Sequence, residues 1–297
     1  MEDSLTLRIK EAKRKRLLEV WEAFKSNRVA LATLIIIIFV ILITFIGPYI
    51  APYDPYSFDL RKARQPPSRE HVLGTDELGR DILSRLLVGA RYTVGISVVS
   101  IAIGASLGTL LGLISGYKGG FWDSLIQRIN DVLLAFPTIL LAIALVAFRG
   151  PGISSLVLAI AVSFMPVYVR LVRASVLQVV VEDYIAAAKL LGLSSWRIML
   201  KHILPNVMSP VIVQATYHMG LAILVASALG FLGLGVPPPT PEWGSMIGTG
   251  KIYLFSAPHI VVFPGLFISI TIIAFNILGD GLRDALDPRA RTLLRRF

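Results

Sequence analysis

The stretch that decides the fold lies between two long apolar runs and reads VEDYIAAAKLLGLSSWRIMLKHILPN, residues 181–206. The alanines at 186–188 favour a helix, and Gly192 is the residue type expected just past a helix end. Ser194 or Ser195 can cap a second short helix. The stretch therefore predicts a helix–turn–helix hairpin on the membrane surface, joined to a span on each side. An ordinary amphipathic loop is the alternative.

The composition of the whole chain is that of a membrane protein. Of its 297 residues, 55% are hydrophobic and 16% are charged, and the mean hydropathy is +0.72. Soluble domains carry about 25% charged residues. The net charge of +10 could indicate nucleic-acid binding, but the basic residues cluster beside apolar segments. We therefore expect a lipid bilayer as partner and no nucleic acid. The absence of cysteine excludes disulfide and thiol chemistry.

Six apolar segments are long enough to cross the hydrocarbon core of a membrane. They are residues 29–46, 92–117, 132–148, 153–169, 207–234 and 259–278. Six crossings place both termini on one side. Twenty of the 29 lysines and arginines lie on that side, together with the hairpin, and nine lie on the other. Because basic residues are enriched on the cytoplasmic side, the sequence predicts an all-α integral membrane protein with six transmembrane helices and both termini cytoplasmic.

The same pattern divides the chain into three parts. A basic cytoplasmic segment covers residues 1–28, a membrane domain covers residues 29–283, and a cytoplasmic tail covers residues 284–297. Within the membrane domain, outer loops are expected at residues 47–91 and 235–258, and the hairpin at residues 176–206. The first segment forms either a short amphipathic helix on the membrane surface or a solvated basic tail.

The first outer loop contains a Gly-x-Asp pattern twice, and the two copies end at Asp76 and Asp81. Asp81 is expected to cap a short helix that begins at Ile82. The two carboxylates could bind a metal, but Arg80 between them favours capping and ion pairs within the loop.

The second outer loop is rich in proline and aromatic residues. Its prolines are expected to stiffen the chain. Trp243, Tyr253 and Phe255 are residue types that suit the membrane interface.

Four glycines recur at every fourth residue along the second predicted span. They are Gly104, Gly108, Gly112 and Gly116. Glycines at this spacing form a smooth stripe that lets a neighbouring helix approach closely. We therefore expect a helix-packing role for the stripe, and not a ligand site.

The third predicted span contains a proline and several polar residues. Pro137 is expected to kink it, and Asp123 to cap its helix. Arg128 and Asp131 are three residues apart, so they can pair on one helix face near the inner mouth. A direct role of these two residues in the transport path is the alternative.

The fifth predicted span carries the most polar cluster of any span. Its members are Gln214, Thr216, Tyr217 and His218. We interpret them as candidates for lining a path through the membrane. A lone histidine such as His218 is more often a hydrogen-bonded packing residue than a ligand.

The sequence contains no pattern that indicates catalysis, a cofactor or a metal. Residues 248–251 read Gly-Thr-Gly-Lys, but a phosphate loop needs a Gly five positions before Gly250 and a Ser or Thr after Lys251, and these positions are Ser245 and Ile252. Histidines 71, 202, 218 and 259 lack zinc-ligand spacing. We therefore expect no catalytic, cofactor or metal site, and any ATP-driven work must be powered by another chain.

Two motifs resemble those of a known family. The hairpin resembles the cytoplasmic loop of ABC-importer permeases, whose pattern is Glu-Ala-Ala, three residues, Gly, nine residues, Ile, one residue, Leu-Pro. The matching positions are Ala187, Ala188, Gly192, Leu204 and Pro205, whereas Ala186 replaces the Glu and His202 replaces the Ile. The second motif, LGTDELGRDILSRLLVGAR at 73–91, resembles the dipeptide/oligopeptide/nickel branch of these permeases.

The resemblance implies a fold, a set of partners and a mechanism. The fold is that of a type I ABC importer permease in a prokaryotic inner membrane. The partners are a second homologous permease, two cytoplasmic ATPase subunits that bind ATP and Mg, and an extracytoplasmic substrate-binding protein. The residues implied in coupling to the ATPase are Ala186, Ala187, Ala188, Gly192, Leu204 and Pro205. The substrates of this branch include dipeptides, longer peptides, nickel chelates and oligosaccharides.

Two other classes of membrane protein are the alternatives. A secondary transporter works without an ATPase, and it is expected to show inverted repeats or broken helices with paired acidic residues at mid-membrane. The sequence shows no obvious repeat and no such pair. A structural or signalling membrane protein would not need the hairpin.

Overall fold

In a computed structural model, the chain forms a bundle of α-helices. The structure describes residues 27–286, together with Lys15, Leu18, Glu19 and residues 21–25. Most of the predicted basic segment 1–28, with its possible surface helix, lies outside the described residues. Residues 287–297 of the predicted tail also lie outside them.

Ten α-helices follow one another between residues 27 and 286. They are α1 Arg28–Ile50, α2 Ile82–Lys118, α3 Gly120–Leu134, α4 Thr138–Arg149, α5 Ile153–Val179, α6 Asp183–Leu190, α7 Ser195–Ile198, α8 Leu204–Phe231, α9 Trp243–Gly250 and α10 His259–Leu286. A π-helical turn, Met199–Ile203, joins α7 to α8 without a break. Short 3₁₀ turns lie at Leu60–Lys62 and Lys251–Tyr253.

Five helical units are long and apolar enough to cross a membrane. They are α1, α2, α5, α10 and the continuous unit Ser195–Phe231. Helices α3 and α4 meet the same criterion only as a pair, and this pair brings the number to six. The prediction of an all-α membrane-spanning protein is thus confirmed, with one span broken.

The predicted kink in the third span is a complete break. Helices α3 and α4 meet at an angle of 91°, and Pro137 is the N-cap of α4. Proline lacks an N–H donor and disfavours helical geometry in the residue before it, so the helix ends before Pro137 and starts again after it. The sequence therefore predicted the position of the bend correctly, but the bend is a break between two helices and not a kink within one.

The polar residues of α3 pair with α5 instead of with each other. Asp123 does not cap the helix, because α3 begins at Gly120 and the Asp123 carboxylate accepts two hydrogen bonds from Arg173, at 2.6 and 2.7 Å. Asp131 pairs with Arg170 at 2.6 Å, and not with the predicted Arg128. Because α3 lies beside α5, the arginines of α5 are closer to the α3 carboxylates than Arg128 of α3 is.

The bundle has two ends that carry different structures. We call the end with α6 and α7 the hairpin end; there, the Lys189 ammonium lies 5.5 Å from the ring centroid of Tyr117, near the end of α2. We call the opposite end, with residues 51–81 and 232–258, the loop end. Arg85, near the start of α2, bridges the two loop segments, because it donates to the backbone oxygens of both Pro55 and Pro239.

Helix α2 begins with the cap that the sequence predicts. The Asp81 carboxylate accepts from the backbone N–H of Ser84 at 2.8 Å and also pairs with His71 at 3.0 Å. The helix that follows is not short, however. It runs unbroken through the second span to Lys118, because no proline interrupts it and it is rich in buried small and apolar residues. The prediction of a separate short helix was wrong.

The glycine stripe of α2 lies against α5. A Cβ atom on Gly104 would lie 2.7 Å from the carbonyl oxygen of Ala161, and one on Gly112 would lie 2.8 Å from that of Val169. Gly108 and Gly116 meet the same helix one turn away from these contacts. The backbones of α2 and α5 therefore approach so closely along the stripe that no side chain larger than that of glycine fits between them.

Substitution of Gly108 by leucine is expected to force α2 and α5 apart. A Cβ at this position would lie 2.6 Å from the Cβ of Tyr168, so the helices must separate to accept any side chain. Overpacking of this kind costs about 1 to 3 kcal/mol. We expect a thermal midpoint several degrees lower in a detergent-solubilised thermal-unfolding assay. Gly95→Leu is the matched control on the same helix, because nothing lies within 4 Å of a Cβ there. Equal midpoints for the two variants would contradict this packing account.

The loop end is held by buried charges. The Arg80 guanidinium contacts the Asp76 carboxylate at 2.7 Å, and the Arg85 guanidinium contacts the same carboxylate at 3.2 Å. All three side chains are buried. Residues 51–81 therefore form a folded platform with ion pairs inside it, which is the use that the sequence favours for Asp76.

Candidate functional site

The turn of the hairpin is built by one glycine. Helix α6 ends at Leu190, and Gly192 follows with a φ of +72°, a left-handed conformation that favours glycine. The N–H of Gly192 donates to the oxygen of Lys189 at 3.0 Å, and the N–H of Leu193 donates to that of Ala188 at 3.2 Å. This pair of bonds is a Schellman motif, so the predicted helix stop at Gly192 is present.

The second arm of the hairpin is the start of a membrane-spanning helix. Ser194 caps α7, as one of the two predicted serines, with its oxygen accepting from the N–H of Arg197 at 3.4 Å. Helix α7 then continues through the π-helical turn Met199–Ile203 into α8. The widened turn accommodates Pro205, which has no N–H to donate. Leu204 and Pro205 therefore lie inside one 37-residue helical unit, Ser195–Phe231, and not at a joint between two helices.

The hairpin has its own apolar core, which continues into α8. Ile185 of α6 is fully buried, as are Ile198, Ile203 and Val207 along the second arm. The amide of Asn206 also donates to the Tyr184 hydroxyl at 3.0 Å. Because close-packed side chains resist relative movement, we expect α6 and α8 to move as one rigid body.

The hairpin exposes large apolar side chains at both ends of α6, beside exposed charged residues that include Glu182 and Asp183. Val181, Leu190 and Leu191 are 77%, 90% and 80% exposed. Leu190 and Leu191 are neighbours at the tip of the hairpin, where the chain turns, and an exposed apolar pair at such a place is typical of an interaction site. Basic residues surround it: Lys189, Arg197 and Lys201 are exposed as well.

The residues predicted to couple to a partner divide into two groups. Ala186, Ala187, Gly192 and Pro205 are exposed on the hairpin surface. Ala188 is buried, and Leu204 is half-buried. The first group can contact a partner, whereas Ala188 lies inside and keeps α6 close to the second arm.

The hairpin is also tied to the rest of the bundle through α5, which leads into it. Near the end of α5, Arg173 forms its bidentate pair with Asp123 of α3. Asp123 also accepts from Ser115 of α2, and Gln127 donates to the same serine at 3.0 Å. Three helices therefore meet at one polar cluster at the hairpin end.

The structure separates the four polar residues of the fifth span. Gln214 and His218 share one face of α8, and their side-chain nitrogens lie 2.7 Å apart. The buried His218 ring packs against Phe164 and Tyr168 of α5, with centroid distances of 4.8 and 5.2 Å. This face is an α5–α8 contact.

The other two polar residues of the cluster lie elsewhere on α8. Thr216 donates to the oxygen of Ile212 in its own helix at 3.0 Å. Tyr217 is 42% exposed. The four residues therefore do not form one continuous polar surface.

A fully buried carboxylate at the loop end was missed by sequence reasoning. Glu242 is the N-cap of α9 and accepts from four donors: the N–H groups of Gly244 and Ser245 and the hydroxyls of Ser245 and Thr93, at 2.7 to 3.1 Å. Burial nevertheless raises the pKa of Glu242 above its usual value. A lone Glu in a Pro-rich loop is a weak capping signal, and α9 carries three glycines, so the sequence pattern did not indicate this helix.

Trp243 corrects the prediction of a membrane-interface residue. Its side chain is almost fully buried, and the indole N–H donates to the oxygen of Leu86 in α2 at 3.0 Å. A buried indole N–H needs such a hydrogen-bond partner. Trp243 is buried because it lies on α9, which packs against α2, and not on a loop at the membrane interface. Phe255, by contrast, is almost completely exposed. Glu242 and Trp243 together fix α9 to α2.

Two family descriptions match the chain. Residues 108–292 match the binding-protein-dependent transport system inner membrane component, and residues 16–67 match the N-terminal TM domain of oligopeptide transport permease C.

Curated relatives cover almost the whole chain. The glutathione transport system permease protein GsiD of Pectobacterium atrosepticum is 44% identical, over 92% of this chain and 91% of its own. The di/tripeptide transport system permease protein DppC of Pseudomonas aeruginosa is 45% identical, over 92% of both chains.

Solved structures share the fold at low sequence identity. A chain of the methionine ABC transporter MetNI, in an inward-facing conformation, has a TM-score of 0.55 at 18% identity and covers 68% of this chain and 97% of its own. This likeness confirms the type I ABC importer permease fold. Together with the family match and the relatives, it shows that the chain belongs to the inner-membrane permease family of binding-protein-dependent ABC importers, as a multi-span transport subunit of the bacterial inner membrane.

Proposed function

We propose that this permease forms half of a translocation path for small peptides, in a complex with a second homologous permease, two ATPase subunits and a substrate-binding protein. Relatives named for glutathione and for di- and tripeptides support peptides of two or three residues as the substrate class. The chain itself catalyses no reaction. ATP and Mg bind to the partner ATPase subunits, which drive the cycle.

The proposal assigns the hairpin end to the cytoplasm and to the ATPase. The observation that carries it is the exposed apolar tip, Leu190 and Leu191, on a hairpin whose core continues into α8. The basic residues around the tip agree with a cytoplasmic position. The exposed face of Ala186, Ala187 and Gly192 presents no bulky side chain, so a partner helix or groove can approach the backbone.

The mechanism follows from the rigid connection between the hairpin and α8. When the ATPase subunits close on ATP, the hairpin moves with them, and α8 tilts because no flexible joint separates the two. Movement of α8 changes its contact with α5 at Gln214 and His218 and opens the path on one side at a time. ATP shifts this equilibrium only through its higher affinity for the closed ATPase dimer. The side chains on the exposed face of α8, including Thr216 and Tyr217, are the candidates for lining the path.

Reconstitution tests the proposed function. The chain is co-expressed with its permease partner, the ATPase subunits and the binding protein, and the complex is placed in proteoliposomes. We expect uptake of glutathione, dipeptides or tripeptides that requires ATP and the binding protein and that survives collapse of ion gradients. Uptake that needs a proton or sodium gradient and proceeds without the ATPase subunits would identify a secondary transporter instead.

A further inference from the structure

A cavity of about 300 Å³ lies at the loop end. It is lined by the last turn of α8 with Phe231, by the adjoining α9 with Ser245 and Thr249, and by residues 235–238. Several glycines contribute backbone instead of side chains to the walls, and Lys251 stands at the cavity as its one charged lining residue. The volume is at the lower end of the range for small-molecule sites, which suits a compact ligand.

Lys251 is a cation without a carboxylate partner. Within the part of the chain that the structure describes, no Asp or Glu oxygen lies within 4 Å of its ammonium group. The ammonium instead lies 4.7 Å from the ring centroid of Phe231, which holds it over the cavity wall. Its three donors therefore remain free for an anion.

The buried Glu242 does not pair with this charge. Glu242 lies behind Ser245, and its two oxygens are occupied by four hydrogen-bond donors. Burial also raises the pKa of Glu242. The cavity thus presents a positive group, an aromatic ring and small polar hydroxyls.

The cavity is mechanically connected to the hairpin. The wall at Gly230–Leu232 ends the same helical unit that begins at Ser195 in the hairpin. At 1.5 Å per residue, its two ends are about 55 Å apart. A tilt of this helix therefore changes the cavity and the hairpin together.

We propose that this cavity is a peptide subsite at the loop end and that Lys251 binds the C-terminal carboxylate of the substrate. The proposal rests on the proposed function, because it takes the peptide as substrate and the loop end as the side of entry. The Phe231 ring is the apolar platform beside the carboxylate, and Ser245 and Thr249 of α9 line the same cavity. Release follows when the tilt of α8 moves Phe231 relative to residues 235–238, which also line the cavity.

The test uses the complete transporter in proteoliposomes, with trialanine as the probe. We expect Lys251→Arg to transport within about twofold of the wild type, Lys251→Gln to lose roughly fivefold in uptake rate, and Lys251→Glu to lose more, since the charge-assisted bond at a half-open site is of moderate strength. Arg61→Ala removes an exposed cation from the first outer loop, away from the cavity, and should leave uptake unchanged.

A second arm separates substrate binding from docking of the binding protein. Two forms of one peptide are compared, one with a free C-terminal carboxylate and one with a C-terminal amide. The peptide is chosen so that the binding protein binds both forms, as measured by calorimetry. With the amide, the ratio of wild-type to Lys251→Gln uptake should fall below about twofold, because the carboxylate is absent. An equal loss for acid and amide, or full activity of Lys251→Glu, would overturn the subsite. Failure of the wild type to take up any peptide with ATP would instead overturn the proposed function.

Discussion

Gly192→Val is expected to abolish uptake while the protein still inserts into the membrane. The φ of +72° is unfavourable for a β-branched residue, so the Schellman turn opens and α6 loses its fixed position against the second arm. Nothing lies within 4 Å of a Cβ at this position, so the effect acts through the backbone and not through a clash. A left-handed conformation costs a non-glycine residue roughly 1 to 2 kcal/mol, and the substitution also changes the shape of the turn. We therefore expect ATP-driven uptake to fall more than about tenfold. ATPase activity should remain measurable but no longer respond to substrate.

Gly150→Val is the matched control for this prediction. Gly150 also has a positive φ, +88°, and a Cβ there also meets open space, but it lies in the turn between α4 and α5, away from the hairpin. It therefore applies a similar backbone strain at another site. Normal coupled uptake by Gly192→Val, or an equal loss with Gly150→Val, would show that the shape of the hairpin turn is not what couples hydrolysis to transport.

Asp76→Ala is expected to destabilise the loop end more than any surface change. The Asp76 carboxylate accepts from Arg80 and from the N–H groups of Leu78 and Arg80, and it lies 3.2 Å from Arg85. Its removal leaves two buried guanidinium groups short of an anion. Breaking a buried pair in this way costs about 3 to 5 kcal/mol. We expect the thermal midpoint of the solubilised protein to fall by roughly 10 °C.

Glu70→Ala provides the comparison for Asp76. Glu70 pairs with Lys62 on the exposed surface of the same loop, where water screens the interaction. This substitution should change the thermal midpoint little. If both variants unfold at the wild-type temperature, the buried ion pairs do not hold the platform together.

Local signals made the hairpin turn predictable. A glycine after an alanine-rich helix and a serine before the next one are one-residue cues that act within a single turn, and the structure has both at Gly192 and Ser194. The continuity of the second arm was not predictable in the same way. Pro205 normally ends a helix, and only the π-helical turn before it allows Ser195–Phe231 to run through.

Contacts between distant segments could not be predicted from the sequence. Asp131 has a local partner candidate in Arg128, yet it pairs with Arg170 because α3 packs beside α5. Helix α9 was hidden for a different reason: an eight-residue helix with three glycines, preceded by prolines, has no usable apolar period. Its stability comes from burial of Trp243 and from the capping by Glu242, which only the tertiary structure reveals.

A single-cysteine crosslink tests the central claim most directly. The chain contains no cysteine, so Ala187→Cys introduces a unique thiol on the exposed face of the hairpin, and Ser256→Cys introduces one at the loop end. In the assembled transporter, we predict that the thiol at position 187 crosslinks to an ATPase subunit through a short bifunctional reagent, and that the one at position 256 does not. Crosslinking of the ATPase from position 256, with none from position 187, would contradict the account.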